Sequence, residues 1–170
     1  LDQGHYMLKQ LAYLFAGSVA FVVAASIPVR IWQKYAAKLL LFALLLCALL
    51  FVLGLGNIAP AFCHNGACRW YNIGFATFQP AELTKFAVLI FLASFLGKRI
   101  ARDRLSSVGD TLLPVGIVLA VVSFFIIGLQ KDMGTGLTVI GAVTAMLVVG
   151  GLHRRLLLLL GGGMVAAGVL

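Results

Sequence analysis

A polytopic all-α transmembrane bundle of about six spans is the fold class this sequence predicts. Of its 170 residues, 62% are hydrophobic and only 11% charged, with a mean hydropathy of +1.10. A soluble domain carries roughly a quarter charged residues, and a globule of this size cannot bury so much apolar side chain. The apolar residues also gather into runs approaching the roughly 20 needed to cross about 30 Å of hydrocarbon as helix. Finally, the basic residues fall in clusters between those runs, alternately rich and poor. Helix is required because an open strand would leave its backbone groups unpaired in lipid.

The first run, 7–26, is followed by Arg30, Lys34 and Lys38, and the second covers 37–55. Residues 56–79 hold Gly56, Asn57, Pro60, Asn65, Gly66, Gly74 and Pro80 in or beside them, which reads as a long irregular loop. Trp70 and Tyr71 suit an interfacial aromatic belt. The third run, 80–97, carries Glu82 and Lys85 and leads into Lys98, Arg99, Arg102 and Arg104. Runs at 112–129 and 134–152 follow, then Arg154 and Arg155, then a last run at 156–170 that includes Gly161-Gly162-Gly163. Nine basic residues stand in one set of connections against Lys9, Arg69 and Lys131 in the other. The positive-inside rule places the first set in the cytoplasm, and 56–79 outside. The net charge of +8 therefore points to anionic membrane lipid rather than nucleic acid. The chain reads as one transmembrane domain, 1–170, incomplete at both ends, since it opens on Leu1 and its last apolar run is still in progress at Leu170.

Few residues could carry chemistry. Cys63 and Cys68, in Cys-His-Asn-Gly-Ala-Cys, could close a disulfide ring in an oxidising compartment or remain free thiols. A zinc site with His64 is a weaker reading, lacking a second ligand cluster. Cys47 reads as apolar filler. Pro80 fits a first helical position, which makes Glu82 an N-terminal acid that shares a face with Lys85 three residues on. The pair is either a cap with a snorkelling lysine or the lining of a polar cavity, because ionisable groups in a span seek a partner or water. Asp132 is either a helix N-cap or a buried partner for Lys85. Arg69 is either an interface anchor or a cation aimed at phosphate. No Walker loop, nucleophile–base set or metal-ligand pair stands out, so no cofactor is identifiable; a divalent cation stays open.

The segment Arg69-Trp70 … Gly74 … Phe78-Gln79-Pro80-Ala81-Glu82-Leu83-Thr84-Lys85 resembles the SEDS family (shape, elongation, division and sporulation). Gln130-Lys131-Asp132-Met133-Gly134-Thr135 is similar to its Gln-Pro-Asp-Leu-Gly-Thr motif, and Pro28-Val29-Arg30-Ile31-Trp32-Gln33-Lys34-Tyr35 to the first cytoplasmic loop of its division branch, FtsW. Ala81 favours that branch over the elongation branch, RodA. The resemblance implies helices two to seven of about ten, in the bacterial inner membrane. It implies a peptidoglycan glycosyltransferase that polymerises lipid II on the outer face beside a class B penicillin-binding protein and other division or elongation proteins. Lys85 and Asp132 would match the family's charged pair, with Glu82 beside them and Arg69 in the substrate environment. The family's catalytic Asp lies in the loop after the seventh helix, so no catalytic residue is expected in this segment, and none of its activity when alone. Lys131 in place of proline, Thr77 where a basic residue is usual, and the two cysteines depart from the pattern. A lipid II flippase and a non-catalytic division scaffold are the alternatives.

Overall fold

A computed structural model of the chain describes residues 3–56, 58, 61–64, 67–72, 77–105 and 107–152. The run expected at 156–170 lies outside them. Two units divide at Tyr35/Ala36, within the second helix.

In the first unit, α1 (Gln3–Ser26) contains the candidate span Met7–Ser26. Its two serine hydroxyls are satisfied internally: Ser18 donates to the Leu14 carbonyl at 2.8 Å and Ser26 to that of Val22 at 2.7 Å. Such back-bonding removes polar groups that lipid could not solvate. The helix stops ahead of Pro28, whose ring disfavours helical geometry in the residue before it.

α2 (Val29–Leu55) starts eight residues before the expected 37, because lysine, arginine and glutamine are good helix formers, and the first two carry their charge out along their stems. In the second unit it buries Ala36, Leu40, Ala43, Cys47 and Leu50, a spacing of three and four that defines one face.

The expectation of an irregular 56–79 is corrected. A three-stranded antiparallel sheet forms from β1 (Ala61–His64), β2 (Ala67–Asn72) and β3 (Thr77–Phe78). Cys63 pairs across from Cys68, after a register shift between Phe62 and Cys63, and Tyr71 pairs with Phe78. The glycine and asparagine that suggested a loop lie between strands too short for alternation to reveal.

α3 (Pro80–Ile100) has Pro80 in its first turn, where the missing N–H costs nothing, and Lys98 and Arg99 in its last, complementing the helix dipole. The fourth span, Val108–Leu129, has an α-helical centre, α4 (Leu113–Ser123), between π-helical turns at Val108–Leu112 and Phe124–Leu129. In regular α geometry Pro114 would crowd the carbonyl four residues earlier, and the wider first turn relieves that. α5 (Met133–Val149) buries Thr135, Gly136, Val139, Val143 and Leu147. Among the described residues four helices are long and apolar enough to cross a membrane; α5, with 17 residues, is shorter.

The core joins Ala81, Val88 and Leu92 of α3 to Val115, Leu119 and Val122 of α4 and to Val143 and Leu147 of α5. Gly136 is a close approach: a Cβ there would lie 2.6 Å from Ile127 Cδ1, whereas one at Gly141 meets nothing within 4 Å. Gly136→Val is therefore expected to cost about 1–3 kcal/mol through overpacking, and Gly141→Ala to be neutral or better. Thermal unfolding in detergent distinguishes them, and equal midpoints would contradict this packing.

Candidate functional site

The candidate residues meet where three elements end. Gln79 precedes α3, Asp132 precedes α5, and Arg69 reaches over from β2. Asp132 is the N-cap of α5: Oδ1 accepts the Thr135 N–H at 3.0 Å and Oδ2 the Thr135 hydroxyl at 2.8 Å. Oδ2 also accepts Gln79 Nε2 at 2.8 Å, which ties the start of α3 to the start of α5. Gln79 itself is buried.

Between the fourth span and α5 the chain turns through Lys131 at φ 54, a left-handed conformation uncommon outside glycine. That turn points the carbonyls of Gln130 and Lys131 at Arg69, whose Nε donates to the first at 3.0 Å and Nη2 to the second at 2.6 Å. The guanidinium is thus engaged with main chain, an arrangement the sequence readings of interface anchor and phosphate ligand did not include.

Burial tends to raise the Asp132 carboxyl. The Thr135 N–H and hydroxyl, the Gln79 amide and the Arg69 charge together outweigh it and hold the group below its ordinary value. A carboxylate so held contributes stability above the ordinary carboxylate range, lost as pH falls through the lowered value. The melting-temperature gap between the protein and Asp132→Asn should be widest near neutrality and close in acid; a gap independent of pH would contradict the charge-dependent network.

Of the two readings of Asp132, the structure has the helix N-cap rather than the pairing with Lys85. Lys85 Nζ instead meets Glu82 Oε1 at 2.8 Å, one turn back on the same helix. The spacing of three brings that acid within reach on the same helix face, while the Asp132 oxygens accept from Thr135 and Gln79.

Sheet and bundle are tied at further points. A disulfide joins Cys63 and Cys68. Gly54 of α2 lies beneath it, where a Cβ would be 2.9 Å from Cys68 Cβ. The buried Tyr71 donates its hydroxyl to the Leu46 carbonyl at 2.7 Å, and burial, then the nearby Cys47, pushes its phenol up. Within the bundle, Cys47 Sγ lies 3.4 Å from Thr84 Oγ1, and the Gln130 side chain is 1% exposed with neither amide atom hydrogen-bonded among the described residues.

Sequence reasoning did not single out Gln79, Gln130 or Thr135. Thr135 had a signal, an acid–x–x–threonine spacing at a helix start. Gln79 and Gln130 stood inside the quoted motifs without a stated role. No group of three or more His, Cys, Asp or Glu that could hold a metal occurs among the described residues.

The cell cycle protein family model that covers FtsW, RodA and SpoVE matches residues 2–170. The probable peptidoglycan glycosyltransferase FtsW of Trichlorobacter lovleyi is 33% identical over 97% of this chain and 41% of its own length. That of Geobacter metallireducens is 35% identical over 89% and 39%. The crystal structure of Thermus thermophilus rod shape determining protein RodA superimposes with a TM-score of 0.72 at 29% identity, covering 91% of this chain and 48% of that one. A chain from a peptidoglycan synthase complex, solved to describe the coordination of polymerization and crosslinking, gives 0.70 at 28%, covering 96% and 44%. The chain thus spans about two-fifths of the curated relatives' length. On the match along nearly its whole length, it is a membrane protein that belongs to the FtsW/RodA/SpoVE family of cell cycle proteins.

Proposed function

We propose that the protein is a peptidoglycan glycosyltransferase that polymerises lipid II at the outer face of the bacterial inner membrane, with this chain forming part of its bundle. The observation that carries the reading is the gathering of Asp132, Gln79 and Arg69 at one end of a membrane bundle, with the Glu82–Lys85 pair on the adjoining helix turn. The names of the relatives support it. The basic loops face the cytoplasm and the sheet faces outward, following the charge asymmetry.

In this reading a carboxylate base supplied beyond this chain takes the proton of the acceptor's sugar hydroxyl. The oxygen attacks the anomeric carbon of the growing strand with inversion, and the pyrophosphate-linked lipid leaves. Lys85 and the exposed Lys131 offer positive charge to that leaving group. Asp132 orders the start of α5, and Arg69 holds the turn before it. The partner is a class B penicillin-binding protein, which crosslinks the product.

Reconstitution of the intact protein and that partner in liposomes with purified lipid II tests the proposal. Glycan polymer is expected. Lipid II transport without polymer would assign a flippase instead, and neither activity beside intact partner binding would leave a scaffold.

A further inference from the structure

Arg69 links the sheet to the turn that carries Asp132, and what holds Arg69 there is not its own strand alone. β1, β2 and β3 have four, six and two residues, and so small a sheet is marginal by itself. Two features anchor it. The Cys63–Cys68 bond, directly before Arg69, sits over Gly54, where α2 has no room for a side chain. Tyr71, two residues beyond Arg69, is bonded to Leu46 of the same helix. Arg69 lies between these anchors and spends two donors on the Gln130 and Lys131 carbonyls. Those carbonyls face it because Lys131 is left-handed.

We propose that the Cys63–Cys68 disulfide is a positioning element of the site, fixing the sheet on α2 so that Arg69 holds the Gln130–Lys131 turn and, through it, Asp132. Activity then depends on the redox state of a bond remote from the reacting atoms. A dithiol that breaks it donates two electrons and two protons; two cysteine thiols form and the dithiol closes to its own cyclic disulfide. The groups that act on Asp132 are Arg69 from β2, Gln79 ahead of α3 and Thr135 on α5; Lys131 is its neighbour in the chain, and the Glu82–Lys85 pair stands in the first turns of α3. Among these Arg69 is the cation whose charge reaches the Asp132 carboxyl, so releasing it changes that group's titration.

The test compares the intact protein, Cys63→Ser/Cys68→Ser, Arg69→Ala and the triple variant, with and without dithiothreitol. The first readout is independent of polymerisation: the pH dependence of thermal unfolding that reports Asp132. Breaking the disulfide should move this dependence toward higher pH by the same amount as Arg69→Ala, and the triple variant should go no further, as expected of residues acting in one chain of contacts. Arg69→Lys, which cannot reach both carbonyls as a fork, should restore only part. The second readout rests on the proposed function. Polymerisation should fall about tenfold on reduction, since a 1 Å misplacement at a site can cost roughly 100-fold. Its acid limb should shift likewise, and the serine variant should ignore dithiothreitol. Additive effects of the serine and Arg69→Ala changes would overturn the inference, as would a fully reduced protein with an unmoved pH dependence. If no form makes polymer while the first readout is non-additive, the polymerase reading fails and the positioning role stands.

Discussion

Asp132→Ala is expected to lower stability by roughly 2–4 kcal/mol and to abolish lipid II polymerisation. One part of that figure is the lost helix cap, typically about 1 kcal/mol. The other is the buried Gln79 amide, left without its acceptor, for which the penalty is about 1–3 kcal/mol. Activity should go further than stability, because the α3–α5 junction that orders the site is severed. Asn at 132 should fall between the two: its single oxygen can still cap Thr135, but its amide opposes that of Gln79. Unfolding midpoints in detergent beside polymer yield from purified lipid II check this. An alanine variant as stable and as active as the parent would remove the network from the account.

Lys85→Met should separate activity from stability altogether. The Lys85–Glu82 side chains are 28% and 57% exposed, and a half-exposed pair three residues apart on a helix contributes only about 0.2–0.5 kcal/mol. Methionine keeps the unbranched stem, so the melting temperature should hardly move. Polymerisation should nevertheless fall by about 100- to 1000-fold, the scale on which a lost electrostatic contact to developing charge acts. Glu82→Gln should be milder, since it frees the lysine without removing it. Lys85→Met retaining full polymerisation would show that the pair is only a surface ion pair of α3.

These two residues also mark how far the sequence could be read. Helix positions followed from long apolar runs, whose signal needs no knowledge of neighbours. Their ends were less legible: α2 reaches back to Val29 because a basic amphipathic turn can continue a helix that hydropathy alone would begin at 37. The π-helical turn before α4 relieves backbone crowding at Pro114, and neither it nor the one at Phe124–Leu129 is encoded in composition. The sheet at Ala61–Phe78 escaped notice because its strands are short and the glycines and asparagines between them read as loop.

At the site, the types and places of Asp132, Lys85, Glu82 and Arg69 were visible, as were two cysteines able to pair. Which of the open alternatives each would take was not. Two acids and several cations near one end of a bundle allow several pairings, and the choice depends on helix rotation and on oxygens already committed. Asp132 is satisfied by Thr135 and Gln79, so Lys85 turns to Glu82. Arg69 seemed available for a phosphate because main-chain carbonyls exposed by a left-handed lysine leave no trace in sequence.

Thiol labelling of Met133→Cys and Arg102→Cys in the intact protein most directly decides whether this network faces outward. Both positions are exposed, one beside Asp132 and the other just past α3. A membrane-impermeant maleimide should label Met133→Cys in cells with a sealed inner membrane and reach Arg102→Cys only after lysis. Labelling of Arg102→Cys alone in sealed cells would put Asp132, Arg69 and the sheet on the cytoplasmic side, where lipid II polymerisation outside the membrane could not use them.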